Sequence, residues 1–170
     1  MFFETDELLA DEINENDAER FYEICNQRFV LKWMKDWEHD LAEIKDLIKY
    51  FIKGYKVKNP YKHPFCLALR MKSTQELIGI CGFGTKEELD NEVEICYFID
   101  EKYSNKGYMG QVVKNAIEFY FKMVDKDYLC ALVDDENINS VKILIKNGFK
   151  KVETNDRIKK SYYKLLKERK

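Results

Sequence analysis

Proline and glycine are scarce in this chain of 170 residues, which has 2 of the first and 7 of the second. That shortage excludes collagen-like and linker-rich architectures and favours long regular elements. Histidine is equally thin: His39 and His63 are the whole supply, and the 5 cysteines are scattered with no Cys-x-x-Cys pair. Neither a structural zinc nor a disulfide framework is expected, and an odd set of lone thiols reads as small buried side chains in a reduced, cytoplasmic protein. No apolar run is long enough to span a bilayer, and the first residues are acidic where a signal peptide would be basic. A net charge of -2 leaves no electrostatic footprint for nucleic acid or a membrane.

Aromatic side chains are plentiful, with 11 Tyr, 11 Phe and 2 Trp, which excludes a disordered chain. The length suits one hydrophobic core, so residues 1–170 are read as a single domain. Charge is unevenly placed. Residues 1–50 hold 14 acids against 6 bases, while the remainder holds 23 bases against 17 acids. This is either ordinary solvated surface or an acidic wall facing a basic, anion-holding remainder.

Apolar spacing divides the chain into elements. A short strand falls around Leu8-Leu9-Ala10, and Ala18, Phe21, Tyr22 and Cys25 have helical spacing. A longer helix carries Leu41, Ile44, Ile48, Phe51 and Tyr55 on one stripe, with Gly54 marking its fraying end. Phe65–Met71, Leu77–Phe83 and Glu92–Ile99 then read as an antiparallel meander. From Ser104 the pattern becomes loop, helix, strand: a glycine-bearing turn, a helix through Val112 to Val124, and the strand Tyr128–Val133. A short helix from Asn137 to Lys146 turns Val141, Leu144 and Ile145 inward and ends at Gly148. Strands beginning at Phe149 and at Ser161 close a mixed α/β (α+β) domain.

Two junctions carry chemistry. The loop with Gly107 and Gly110 puts backbone N–H groups at a positive helix end, which is anion-binding geometry, although a glycine turn that only satisfies its own backbone looks the same. It lacks the Lys-Ser or Lys-Thr of a Walker loop and the spacing of the dinucleotide fingerprint. Asp134-Asp-Glu-Asn137-Ile-Asn-Ser140 is either a plain helix cap or a second polar lip beside the first. No Ser-His-Asp set can be assembled.

Taken together, Leu77-Ile-Gly-Ile-Cys-Gly82, Val93-Glu-Ile-Cys-Tyr-Phe-Ile99, Ser104-Asn-Lys-Gly-Tyr-Met-Gly110 and Asn137-Ile-Asn-Ser140 through Gly148-Phe149 stand in one order. In that order the chain resembles the GNAT superfamily of N-acetyltransferases, particularly the branch of ribosomal-protein N-terminal and spermidine acetyltransferases. The resemblance implies a mostly antiparallel sheet of about seven strands with helices on both faces. It also implies a cleft where the fourth strand (Glu92–Ile99) splays from the fifth (Tyr128–Val133). Acetyl-CoA would lie in that cleft as cosubstrate, without a metal. The strand end Tyr97, Phe98, Ile99 and the cradle Ser104, Asn105, Lys106, Gly107, Tyr108, Met109, Gly110 would hold it, and Asn137 would orient its pantetheine arm or acetyl group.

The implied reaction is direct attack of a primary amine on the thioester in a ternary complex. Many relatives place an acidic tyrosine where this chain has Leu144, so Ser140 is the expected acid or thiolate stabiliser. Glu94 is the expected base, with Glu92 as its rival two residues earlier on the same face. Trp33, Trp37 and Glu92, with Asp36, Glu38 and Asp40, would wall an acceptor, which points to a cationic one: a polyamine, an aminoglycoside or a protein N-terminus. The family prefers Arg or Gln at Ser104 and Gly or Ala at Met109. Those departures keep a second reading open, a catalytically silent acyl-CoA-binding or regulatory protein on the same fold. Monomer and homodimer are both compatible with the sequence.

Overall fold

A computed structural model describes residues 1–167; the last three residues of the expected 1–170 domain lie outside the described ones. Two short strands, β1 (Phe3–Glu4) and β2 (Leu8–Asp11), lead into helices α1 (Ala18–Cys25), α2 (Arg28–Leu31) and α3 (Leu41–Val57). The meander follows as β3 (Phe65–Met71), β4 (Leu77–Lys86) and β5 (Glu92–Ile99). Then come α4 (Tyr108–Met123), β6 (Tyr128–Val133), α5 (Ile138–Lys146), β7 (Lys150–Asn155) and β8 (Lys160–Leu166). All strands join one sheet in the order β1-β2-β3-β4-β5-β6-β8-β7. The sheet has eight strands rather than about seven because Phe3–Glu4 pairs with Leu9 and Ala10. Two residues are too few to show an alternation.

Side-chain parity sorts the layers. Phe83 lies opposite Ile95 and packs its ring on Tyr120 of α4, so odd-numbered β5 side chains face that helix. Phe98 instead stacks on Phe21 of α1 and meets Trp37, so Glu94, Cys96 and Phe98 face the opposite layer. The sheet is thus buried on both sides over its centre, with Leu67, Ile78, Val112 and Leu129 wholly enclosed.

Two expectations about helices need correction. Gly54 is no fraying end: α3 continues to Val57, and Lys58 caps it in the left-handed region at φ 49°. In α5, Leu144 is 1% exposed and turns inward, but Ile145 is 58% exposed. One residue is about 100° of helix, so Ile145 rotates off the face that rests on the sheet.

Every strand contact is antiparallel except β5 with β6, which run parallel and meet at one residue pair, Glu94 opposite Cys130. Beyond that pair both strands bond only to their outer neighbours, β4 and β8. The sheet therefore opens into a wedge from Glu94 toward Ile99 and Val133.

Candidate active site

The wedge leads into a groove of about 630 Å³ between the end of β5, the first turn of α4 and the exposed side of α5. That volume suits an extended organic ligand. At one end lies the turn before α4. Gly107 holds φ 78°, and a Cβ added to it or to Gly110 would meet nothing within 4 Å. Among the described residues no side chain caps α4, so its first N–H groups are left for a ligand at the positive end of a 16-residue helix. Lys32, Lys106, Lys142 and Lys146 line the groove against one carboxylate, Glu136. A phosphate-bearing ligand fits this charge, and the apolar walls of Phe29, Val30, Ile138 and Ile143 suit the carbon chain of a pantetheine arm.

The turn is held from outside. Arg20 of α1 pairs with Asp100, just past β5, and with Glu76 at 3.1 Å. Asp100 is 4% exposed and accepts from the Lys102 amide at 2.8 Å. Burial would raise its pKa, but the Lys102 amide and the Arg20 guanidinium hold it below the usual carboxylate range. Tyr103 donates to Glu76 at 2.6 Å. These bonds fix where the chain leaves the sheet and enters the cradle.

A second, smaller cavity of about 90 Å³ opens from the closed end of the wedge, with Glu94 in its wall beside Trp37, Asp36, Cys96, Lys86, Asp134 and Lys160. Burial pushes the Glu94 carboxyl up to about 7, although Lys86 and Lys160 pull it down. A carboxyl at that value exchanges protons near neutral pH. Trp33, Met34, Tyr97, Asn137 and Ser140 border both cavities. At this junction the Tyr97 hydroxyl lies 2.9 Å from the Ser140 hydroxyl, and Asn137 Oδ1 accepts from the Ser140 amide at 3.3 Å. Burial pushes the Tyr97 phenol well above its usual range while the Ser140 contact lowers it, so the phenol stays protonated.

Most residues singled out in the sequence come together here, but with altered parts to play. Phe98 packs its ring against Phe21 and Trp37 in the aromatic layer and also borders the groove. Met109 is buried in the core rather than lying over the cradle. Tyr108 sends its hydroxyl to Glu7 at 2.7 Å. The Ser104 hydroxyl donates to the Glu101 carbonyl at 2.7 Å, and Asn105 accepts from Asn139 at 3.2 Å. Trp33 lies at the junction and Trp37 beside Glu94. Glu92 lines neither cavity; Tyr61 donates to it at 2.9 Å below the wedge.

The expected acidic wall is also dispersed. Asp40 caps α3, Glu38 lines neither cavity, and Asp36 faces Lys86 at 3.5 Å. The sequence reading missed Lys86 and Lys160. Lys86 was readable, since the β4–β5 hairpin sets it opposite Glu92 and so on the face of Glu94. Lys160 has no local signal, because its place depends on β8 lying beside β6.

Residues 7–150 match the family model described as the acetyltransferase (GNAT) domain. Among curated proteins, the uncharacterized N-acetyltransferase YoaA of Bacillus subtilis (strain 168) is 25% identical over 150 residues, covering 87% of this chain and 82% of that one. The RimL ribosomal L7/L12 alpha-N-protein acetyltransferase, solved in complex with coenzyme A, superposes with a TM-score of 0.81 at 13% identity, covering 96% of each chain. The microcin C7 self-immunity acetyltransferase MccE, solved with acetyl-CoA and AMP, gives 0.73 at 16% identity, covering 95% of this chain and 93% of that one.

Proposed function

The chain belongs to the family of acetyltransferase (GNAT) domains, and on that premise we propose that it transfers the acetyl group of acetyl-CoA to a primary amine. The observation that carries this reading is the junction: one groove suited to a phosphate-bearing ligand meets a pocket containing a proton-accepting carboxylate, with two hydroxyls between them. Acetyl-CoA supplies the thioester carbonyl. The groove holds its pyrophosphate at the α4 N-terminus and its arm along β5. Glu94 takes the ammonium proton so that a neutral amine can attack. The second amine proton reaches the departing sulfur through the Ser140 hydroxyl, which Tyr97 orients and Asn137 places through the turn of α5. Holding both reactants at one junction supplies proximity.

The test is thiol release from acetyl-CoA across a panel of amines, with calorimetry for coenzyme A binding. No binding would sink the reading. Ser140→Ala is expected to lower kcat by about 10²-fold with little change in coenzyme A affinity. Tyr97→Phe should lower kcat about tenfold, and the double variant should match Ser140→Ala, because Tyr97 acts only through the serine. Additive losses would separate the two hydroxyls.

Gly110→Ala probes the cradle. Alanine in a helix is favoured over glycine by up to about 1 kcal/mol, and no protein atom opposes the added methyl. The variant is expected to melt a few degrees higher and to bind coenzyme A more weakly, since the methyl stands where the pyrophosphate would approach. Undiminished affinity would move the phosphates away from this turn.

A further inference from the structure

The pocket around Glu94 contains two cations that acetyl transfer does not consume. Lys86 is already engaged, by Asp36 at 3.5 Å and Glu88 at 3.9 Å. Lys160 is different. It is half-buried at the first position of β8, lines the same pocket, and forms no salt bridge among the described residues. Of the carboxylates in the lining, Glu94 is the base itself, Asp36 faces Lys86 at 3.5 Å, and Asp134 accepts from the Glu136 amide at 2.9 Å. A polyamine entering here would bring its second ammonium toward two lysines. The aromatic walls of Trp33 and Trp37 and a volume of about 90 Å³ admit only a small head group.

Resting on the acetyl-transfer reading of the same site, we propose that the acceptor is an amine with a carboxylate a few bonds away, its nitrogen at Glu94 and its carboxylate on Lys160. A free amino acid and the N-terminal residue of an acidic peptide share this chemistry. The nitrogen gains the acetyl carbon and the thioester C–S bond breaks. Of the three ammonium protons one passes to Glu94, a second to the sulfur, and the third stays on the amide nitrogen, so the products are the N-acetylated acid and coenzyme A.

The experiment compares kcat/KM by thiol release within matched pairs: L-phenylalanine against 2-phenylethylamine, L-leucine against 3-methylbutylamine, and Asp-Ala-Ala against Ala-Ala-Ala. Spermidine is the polycation control. The carboxylated member is expected to win by roughly tenfold or more, and Lys160→Gln to bring the ratio close to one. Loss of Lys160 also changes the field at Glu94, but that acts on both members and cancels in the ratio. A preference in the amino-acid pairs identifies a free amino acid, and one confined to the peptide pair identifies an acidic N-terminus.

Ratios near one, a preference for spermidine, or a preference that survives Lys160→Gln would each overturn the proposal. So would turnover of no pair by a protein that binds coenzyme A, with the acetyl-transfer reading left standing. Failure to bind coenzyme A would remove both.

Discussion

Glu94→Gln is expected to leave coenzyme A affinity intact and to cut turnover by about 10²–10⁴-fold, the range for a positioned general base. Affinity is spared because Glu94 lines the smaller pocket and not the groove. In the wild type kcat/KM should rise with pH through about 7, where Glu94 loses its proton, and the variant should lose that limb. Stability should move the other way. The folded-state pKa is about 7 against an ordinary 4.5, so the folded state binds the proton more tightly than the unfolded chain. Stability from this group is therefore full below about 4.5 and falls as pH rises to about 7. At about 1.36 kcal/mol per unit the penalty approaches about 3 kcal/mol above pH 7. Glutamine carries no such penalty, so the variant should melt roughly 10 °C higher at pH 8 and nearly level with the wild type at pH 4.5. Undiminished turnover would remove Glu94 from the base role. An inactive variant without a stability gain would show that Glu94 is well solvated.

The same residue shows what the sequence carries and what it withholds. Strand alternation puts Glu92 and Glu94 on one face and cannot choose between them. The choice is tertiary: Tyr61, from the loop after α3, takes Glu92, while the opening of the sheet exposes Glu94 to the pocket. The cradle was legible because its cause is local, a glycine that adopts a positive φ before a long helix. Ser140 and Asn137 were legible as a turn, but the Tyr97 hydroxyl on Ser140 joins residues 43 apart. The acidic first third misled for a related reason. Charge counts register totals, and of these carboxylates only Asp36 lines either cavity, while Asp40 and Glu43 cap α3 and Glu4 and Asp46 pair with lysines.

Glycines show the same division, and Gly54 gives the largest structural effect. Spacing marked it as a helix end, since glycine commonly terminates helices. In the fold it lies inside α3, where a Cβ would come 2.1 Å from the Pro64 carbonyl oxygen and 3.3 Å from His63 Nδ1. The first contact is with backbone, so neither side can relieve it by changing a rotamer. The next residue, Tyr55, donates to the Cys66 carbonyl at 2.8 Å and accepts from the Ile13 amide at 2.7 Å. Pushing α3 away from Pro64 would strain both bonds and leave buried groups unpaired. Gly54→Ala should therefore cost about 3 kcal/mol, the upper end for overpacking, and lower Tm by roughly 10 °C. This reverses the sign expected from helix propensity, by which alanine at an interior position stabilises. Residues of α3 line neither cavity, so molecules that remain folded should bind coenzyme A with wild-type affinity. A melting curve paired with calorimetry at low temperature separates the two effects. Wild-type stability in Gly54→Ala would mean that α3 and the entry to β3 do not approach this closely, while lost affinity in folded protein would mean that the contact sets the wedge as well as the core.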